Sequence, residues 1–340
     1  MTTLLLLDEA MLEHDPGAGH PERPDRLRAV IQRMSTNPVA GTRTDNPCEG
    51  SLEAIARVHP QAYVQRIEDT RGVAVALDPD TRLSEGSVHA ARLAAGAAVQ
   101  AVDAVVRGSA SNAFAFVRPP GHHALSDRAM GFCVFNNIAI AAEHARQSHG
   151  LQRVLIVDWD VHHGNGTEAI FYGRDDVLLF STHQFPFYPG TGALRYTGVG
   201  AGEGATINVP FSPGATDADL RRSFRELLEP IAAEFKPDIV LVSAGFDGHG
   251  HDPLGQFELS AEGFADLCGS VKSIADQHAD GRLVLLLEGG YDLEALASSV
   301  HACTRVLAGE SSPDATTQST PEGDRAVQQA VARHRERWHL

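Results

Sequence analysis

Acidic and imidazole side chains alternate in one short segment near the middle of the chain. Asp160 and His162 lie two residues apart directly after an apolar run, and an extended backbone points residues at that spacing to the same side. A carboxylate and an imidazole on one side form half of a divalent-metal site. Asp247, which follows another apolar run, is the natural third ligand. Two carboxylates and one histidine would leave a coordination position open for water and substrate, as in catalytic zinc sites.

A purely structural explanation exists for such a pair, since an isolated Asp-x-His usually caps a helix or satisfies a strand end. Acidic or histidine-rich residues, however, follow three different apolar runs in this chain, and their recurrence favours the metal site.

Two adjacent histidines, His122 and His123, follow another apolar run. The preceding residues 119–121, Pro-Pro-Gly, predict a stiff turn that presents both imidazoles rigidly. Neighbouring imidazoles beside a metal suit proton transfer, because histidine titrates near neutral pH. Asp158 and Asn165 flank the metal ligands and are plausible partners for the far ring nitrogens. An Asp partner would favour a charged imidazole and an Asn partner a neutral one; without a metal, two surface histidines in a turn would be the simpler interpretation.

Tyr291 follows two glycines at the end of a strong apolar run. The glycines permit a close backbone approach or a positive φ, so the phenol would project from a tight turn. Beside a metal, it could donate a hydrogen bond to a developing oxyanion. Packing at the sheet end is an equal alternative when the other motifs are ignored.

Aromatic and aliphatic residues beside turns could line a narrow apolar channel for an alkyl chain. The candidates are Gly131, Phe132, Tyr188 and Leu254. Such residues more often belong simply to the core.

All of these groups follow short apolar runs that have the length and composition of buried parallel strands. The runs cover residues 4–7, 113–117, 154–157, 177–180, 239–242 and 283–287. Helix-like stretches lie between them, at 87–106, 137–147 and 217–234. Strands alternating with helices predict an α/β domain whose parallel sheet is covered on both faces. Open parallel sheets place their ligands and catalytic residues at the carboxyl ends of the strands, which would gather these segments into one site.

Composition excludes several classes of function. The 340 residues are 43% hydrophobic and 21% charged, which is ordinary for a globular protein. Because Asp and Glu (44) outnumber Lys and Arg (28), we expect no nucleic-acid partner. No apolar run reaches the length of a membrane span, so we expect no membrane partner. The four cysteines are widely spaced and form no CxxC pair, which fits a reducing, cytoplasmic location.

The end of the chain differs in composition from the rest. Residues 309–324 are rich in Ser, Thr, Pro, Gly and acid, which predicts a flexible segment, and 325–340 could form a terminal helix. The predicted organisation is one catalytic domain, residues 1–308, followed by a flexible segment and tail, residues 309–340.

The ordered set of motifs resembles the histone deacetylase family. The motifs are HPERPDRL (20–27), DPDTRLSEGS (78–87), RPPGHHA (118–124), GFCVFNN (131–137), VDWDVHHGNGT (157–167), YPGTG (188–192), SAGFDGHGHDPLG (243–255) and LEGGYD (287–292). Their details resemble the class II branch and its bacterial relatives, which include acetylpolyamine amidohydrolases. The resemblance runs from about residue 5 to about residue 305.

This resemblance implies the arginase–deacetylase fold, with an eight-stranded parallel sheet between helices, and a zinc-dependent deacetylase that removes acetyl or related acyl groups from lysine side chains or similar amines. It implies one zinc ion per chain, held by Asp160, His162 and Asp247. The implied catalytic residues are His122, His123, Tyr291, Asp158 and Asn165. The implied substrate contacts are Gly131, Phe132, Tyr188, Leu254 and Asp80, the last at the rim. A structural potassium ion is implied at Asp158, Asp160, His162, Ser181 and Thr182.

Departures from related families narrow the function further. Arginases bind two manganese ions, but Gly164 and His249 stand where the second metal would need acids, so one metal is expected. An inactive acyl-lysine binding module is a weaker alternative, because no ligand and no catalytic tyrosine is missing. An acetylpolyamine amidohydrolase is the other alternative, and Leu254, where one polyamine-selective branch has Glu, argues mildly against it. The substrate is expected to be an acetylated amine, and an oligomer is compatible with the sequence.

Overall fold

Eight parallel strands form the central sheet of the computed structural model, which describes residues 2–312 and 317–340. Their order across the sheet is β2-β1-β5-β10-β9-β6-β7-β8, and β3 and β4 form a separate two-stranded ribbon. The strands are β1 (Thr3–Leu6), β2 (Thr42–Asp45), β3 (Val75–Ala76), β4 (Arg82–Leu83), β5 (Asn112–Ala115), β6 (Val154–Asp158), β7 (Val177–Gln184), β8 (Thr206–Phe211), β9 (Ile239–Ala244) and β10 (Leu283–Leu287).

Helices flank this sheet in the described ranges. They are α1 (Asp25–Thr36), α2 (Leu52–Ala56), α3 (Gln61–Glu68), α4 (Ser87–Val106), α5 (Asn137–His149), α6 (Asn165–Phe171), α7 (Asp217–Ser223), α8 (Glu229–Phe235), α9 (Ala261–His278), α10 (Leu293–Leu307) and α11 (Pro321–Trp338). A π-helical turn, Phe224–Leu228, joins α7 to α8 where the sequence predicted one helix. The α/β class and the eight-stranded parallel sheet are confirmed.

Central strands of the sheet are buried along their whole length. Every residue of β5, β6, β7, β9 and β10 is buried, which explains why each strand contains an apolar run. The five are neighbours in the sheet, and polar residues identified in the sequence lie at or after the end of each apolar run. Because the strands are parallel, their carboxyl ends meet at one edge, where these groups come together.

The last helix packs against the domain. Val327, Ala330 and Trp338 of α11 are buried, and the Trp338 indole N–H donates to the carbonyl oxygen of Gly204 at 2.8 Å. The predicted terminal helix starts earlier than expected, at Pro321, because Thr320 caps its first turn. Residues 321–324 of the predicted flexible segment thus belong to α11, and residues 313–316 lie outside the described residues. The flexibility of the segment and the boundary at residue 308 stay predictions.

No helix in the described ranges is both long and apolar enough to cross a membrane.

Candidate active site

Three potential metal ligands converge where β6 and β9 end. The Nδ1 atom of His162 lies 3.0 Å from Oδ2 of Asp247 and 3.2 Å from Oδ1 of Asp160. Both carboxylates are completely buried, and the ligand atoms of the three residues lie within 4.8 Å of one another. The structure therefore brings together the residues that the sequence selected as metal ligands.

The charges of this group suit a divalent cation. Burial, helped by the Asp160 carboxylate, raises the pKa of Asp247 to about 7. Burial opposes the charge of His162, but hydrogen bonds to Asp160 and Asp247 raise the pKa of the imidazole to about 10. Two crowded carboxylates thus stabilise positive charge at this point, and a divalent cation would supply it while the histidine stays neutral. Two carboxylate oxygens and one imidazole nitrogen form a donor set that zinc accepts.

Backbone groups fix the orientation of the two carboxylates. The N–H of Gly289 donates to Oδ2 of Asp160 at 2.9 Å, and the N–H of Val161 donates to Oδ1 of Asp247 at 2.9 Å. A Cβ atom at position 289 would lie 2.1 Å from Oδ2 of Asp247, so only glycine allows this approach. The end of β10 is therefore packed directly against the ligands.

The tandem histidines have the two partners that the sequence suggested. Nδ1 of His122 lies 2.9 Å from Oδ2 of Asp158, and Nδ1 of His123 lies 2.8 Å from Oδ1 of Asn165. Glu288, to which the sequence analysis gave no role, holds their turn, because its Oε2 accepts hydrogen bonds from the N–H groups of Gly121 (2.6 Å) and His122 (3.1 Å).

The pKa values of the two imidazoles are shifted in opposite directions. Burial would lower the pKa of His122, but the carboxylates of Asp158, Asp160 and Glu288 raise it well above the usual value. Burial, together with positive charge on the adjacent His122, lowers the pKa of His123 well below the usual value. The neutral ring is chemically able to accept a proton, and the charged ring places positive potential beside it.

The turn that carries Tyr291 is held by charged groups. The side chain of Arg26 donates to the carbonyl oxygens of Gly290 and Glu288, both at 2.5 Å, and its guanidinium lies 4.9 Å from the centre of the Tyr291 ring. Burial raises the pKa of the Tyr291 phenol well above its usual value. The phenol therefore stays protonated and can donate a hydrogen bond.

Arg26 belongs to a buried ion cluster that the sequence analysis did not identify. Glu22 accepts hydrogen bonds from Arg26 (2.9 Å) and Arg118 (2.6 Å), and all three side chains are completely buried. The cluster joins the N-terminal HPERPDRL motif to the turn of the tandem histidines and to that of Tyr291.

One cavity of about 220 Å³ opens above the ligand group. Its lining includes all the predicted channel residues, Gly131, Phe132, Tyr188 and Leu254, together with the rim residue Asp80. The cavity is also lined by His122, His123, His162, Phe187, Gly289, Pro120 and Tyr291. The ligand histidine, the tandem histidines and the phenol therefore face the same space.

Aromatic rings surround the reactive end of the cavity. Phe187, which the sequence analysis missed, stacks on the imidazole of His162 with a centroid distance of 5.3 Å and an interplanar angle of 16°. Tyr188 forms a T-shaped contact with His123 at a centroid distance of 5.2 Å, and Phe132 forms one with Tyr291 at 6.0 Å. The Phe187-Tyr188 pair was the available signal, since both residues precede the turn Pro189-Gly190.

Asp80 lines the cavity and fixes the loop that carries Phe132. Its Oδ1 atom accepts hydrogen bonds from the N–H of Gly131 at 3.1 Å and from the hydroxyl of Thr81 at 3.0 Å. The cavity lining therefore contains one carboxylate, Asp80, and an aliphatic wall at Leu254.

The candidate potassium ligands lie on β7 and at or just after the end of β6. Asp158 of β6 is the register partner of Ser181 of β7. Nε2 of His183 lies 2.8 Å from the carbonyl oxygen of Gly192, which can only accept, so this nitrogen carries the proton. Nδ1 of His183 then accepts a hydrogen bond from the Ser181 hydroxyl at 2.9 Å. The lone pairs of Ser181 Oγ are then directed away from His183, and the oxygen-rich donor set fits a hard cation.

A second group of potential ligands, Asp103, His144 and His149, joins α4 to α5. Both imidazole Nε2 atoms lie within 2.8 Å of Oδ1 of Asp103. Two arginines point at the same group, since Arg107 contacts Asp103 at 3.3 Å and Arg57 contacts His144 at 3.3 Å. Their positive charges disfavour a cation, so the group is best explained as a hydrogen-bonded link between the helices.

Comparison with known proteins gives consistent results. The family model of the histone deacetylase domain matches residues 20–307. A probable deacetylase of Archaeoglobus fulgidus is 40% identical over 297 residues, which cover 86% of this chain and 82% of that protein. The human polyamine deacetylase HDAC10 is 40% identical over 343 residues, which cover 92% of this chain and 49% of that longer protein.

A solved structure has the same fold. The crystal structure of the HDA15 HD domain superposes with a TM-score of 0.93 at 38% identity, and the match covers 99% of this chain and 95% of that one. With a family model that matches most of the sequence and relatives that align along most of it, the chain belongs to the histone deacetylase family.

Proposed function

We propose that this chain is a deacetylase that uses one zinc ion, held by Asp160, His162 and Asp247, to hydrolyse the amide of an acetylated amine. Deacetylase activity, and with it hydrolysis of amides, follows from the family, which is generally zinc-dependent. The observation that carries the proposed site is the single cavity that His162, both tandem histidines and Tyr291 line together. When bound, zinc would polarise the acyl carbonyl and lower the pKa of a water molecule.

In the proposed mechanism, proton transfer is the task of His123. Its low pKa and neutral partner Asn165 leave it able to take the proton of the attacking water and pass it to the leaving amine. His122, which shares its proton with Asp158, provides positive potential nearby. The Tyr291 hydroxyl donates a hydrogen bond to the acyl oxygen as that oxygen gains negative charge.

We propose acetyl-lysine side chains, in a peptide, a protein or a small amide, as the substrates. Phe132, Tyr188 and Leu254 can surround the butyl chain of lysine, and burial of each methylene contributes about 0.8 kcal/mol. An acetylated polyamine carries a secondary ammonium partway along its chain, and burial of that charge without a partner costs about several kcal/mol. Asp80 at the mouth could still attract a cation, so the preference should be finite. The human relative named as a polyamine deacetylase makes this comparison a sharp test.

The test is kcat/KM for an acetyl-lysine peptide against acetylspermidine and acetylputrescine on one zinc-loaded preparation. We expect the peptide to be the better substrate. Leu254→Glu should move the preference towards polyamines, and Leu254→Gln, with a similar shape but no charge, is the matched control. A preference of the unmodified protein for either polyamine by about tenfold, or 1.4 kcal/mol, would contradict the proposed substrate. Peptide binding without release of acetate would instead identify an inactive acyl-lysine binding module.

We also propose a structural potassium ion bound by Asp158, Asp160, His162, Ser181 and Thr182. Support comes from the directed lone pairs of Ser181 and from the buried Thr182 hydroxyl, which has no partner among the described residues. Melting temperatures in potassium chloride should exceed those in choline chloride at equal ionic strength, and Ser181→Ala should reduce the difference. Equal melting temperatures would contradict this site. The cytoplasmic location, the lack of nucleic-acid and membrane partners and the capacity to form an oligomer stay predictions from the sequence.

A further inference from the structure

Asp252 is a buried carboxylate that contacts two parts of the cavity wall at once. Its Oδ2 atom accepts hydrogen bonds from the backbone N–H groups of Tyr291 at 2.6 Å and Asp292 at 3.2 Å. Its Oδ1 atom accepts one from the N–H of Leu254 at 2.9 Å. The side chain therefore joins the turn that carries the phenol to the loop that carries the aliphatic wall.

The loop that contains Asp252 begins at the proposed metal ligand Asp247. It folds closely back on itself, since a Cβ atom at Gly255 would lie 2.0 Å from the carbonyl oxygen of Asp247. The N–H of Asp252 donates to the carbonyl oxygen of His249 at 2.8 Å within the same loop. The ligand, the phenol and the channel wall are thus mechanically connected through Asp252.

The three backbone N–H groups are satisfied only if both terminal atoms of the residue 252 side chain are hydrogen-bond acceptors. Asp252 is 7% exposed, and a buried carboxylate is unfavourable unless donors surround it, as the three N–H groups do here. An asparagine has nearly the same shape, but its NH₂ group would face N–H donors on one side. One of the two segments would then lose its partner.

We propose that Asp252 is a positioning residue for deacetylation, which sets the direction of the Tyr291 phenol and the position of Leu254 together. The inference rests on the proposed role of Tyr291 in deacetylation. Asp252 is not part of the cavity lining, whereas Tyr291 and Leu254 are, so it acts through them. A misplacement of a catalytic group by about 1 Å can reduce the rate about 100-fold. We therefore expect the loss of Asp252 to lower kcat.

The test compares Asp252→Asn with a matched control, Asp219→Asn. Asp219 is also buried, and its oxygens accept hydrogen bonds from the N–H groups of Thr216 at 3.0 Å and Thr320 at 2.8 Å, outside the cavity lining. Both variants remove one carboxylate that bridges two backbone segments, but only one of them touches the Tyr291 turn.

Hydrogen–deuterium exchange reports on the structural part of the proposal without any need for activity. In Asp252→Asn we expect faster exchange in at least one of the segments 253–255 and 289–293, and no change there in Asp219→Asn. Unchanged exchange in both segments of Asp252→Asn would overturn the proposal.

Kinetics on an acetyl-lysine peptide report on the functional part. We expect Asp252→Asn to lower kcat by about tenfold or more, with KM changed less than about threefold, and Asp219→Asn to leave kcat within about threefold. In a Tyr291→Phe background, Asp252→Asn should cost less than about threefold, because the hydroxyl that it positions is absent. An equal loss of kcat in both backgrounds, or an unchanged kcat, would overturn the positioning role. A wild-type protein that releases no acetate would refute the proposed function instead, and the exchange measurement would still decide whether Asp252 holds the two segments.

Discussion

Replacement of Tyr291 by Phe is the sharpest test of the proposed chemistry. The change removes one oxygen from a ring whose main contacts, Phe132 at 6.0 Å and the Arg26 guanidinium at 4.9 Å, do not involve that oxygen. The free energy of unfolding should therefore change by less than about 0.5 kcal/mol.

The effect on catalysis should be much larger. The hydroxyl would donate its hydrogen bond mainly in the transition state, as negative charge forms on the acyl oxygen inside a cavity with apolar walls. Loss of one such donor costs about 3 kcal/mol, or roughly a hundredfold in kcat. KM should change little, because the ground-state carbonyl gains less from the same bond.

The assay is acetate release from an acetyl-lysine peptide, with kcat and KM determined separately and folding checked by urea unfolding. Tyr188→Phe is the control, since Tyr188 lines the same cavity but is 39% exposed, and its hydroxyl interacts with Asp80. A change below about threefold in kcat/KM for Tyr291→Phe would remove Tyr291 from the mechanism. A loss of the same size in both variants would show that the cavity responds to any lost hydroxyl.

Three further predictions concern the metal, the tandem histidines and acid stability. Asp247→Ala should abolish stoichiometric zinc in dialysed protein, and full activity of this variant, or two transition metals in the wild-type site by elemental analysis, would refute the ligand set. His123→Ala should lose about 100-fold or more in kcat and His122→Ala less, and the assignment is reversed if His122→Ala is clearly the more damaging. Burial lowers the pKa of His59 to about 4, so the unfolded chain binds this proton at a higher pH than the folded chain does. The contribution of neutral His59 to the free energy of unfolding is therefore present above about pH 6.5 and is lost as the pH falls towards 4. Between pH 7 and pH 5 this loss amounts to about 2 kcal/mol. His59→Gln should remove this pH-dependent loss from the free energy of unfolding measured in urea. An identical pH dependence in the wild type and the variant would contradict the assignment.

The central strands of the sheet could be predicted from the sequence, because their burial requires an apolar composition. The central strands are apolar runs because helices cover both of their faces. The two strands that the apolar runs did not predict lie at the edges of the sheet. β2 reads Thr-Arg-Thr-Asp and is half-exposed, and β8 contains Pro210, which argues against a strand unless that strand is at an edge.

Within the site, the residues at strand ends could also be predicted, whereas the buried charged residues around them could not. Asp160, His162 and Asp247 could be predicted because parallel strands bring their carboxyl ends to one edge of the sheet. Arg26 and Asp252 could not, because each acts on backbone atoms far away in sequence; Arg26 reaches the carbonyl oxygen of Gly290, 264 residues away. No local pattern signals that a charged residue is buried, and such residues are recognised only when their partners are known.

The close packing around Gly164 supports the prediction of one metal ion instead of two. Gly164 was notable in the sequence only because it lacks the acid that a second ion would need. A Cβ atom at this position would lie 2.3 Å from Oδ2 of Asp158 and 3.2 Å from Nδ1 of His122. Any side chain there, including a metal-binding carboxylate, would separate the Asp158–His122 pair, whose atoms are 2.9 Å apart. A second metal ligand at position 164 and the tandem-histidine pair would therefore compete for the same space, which supports the proposal of one metal ion per chain.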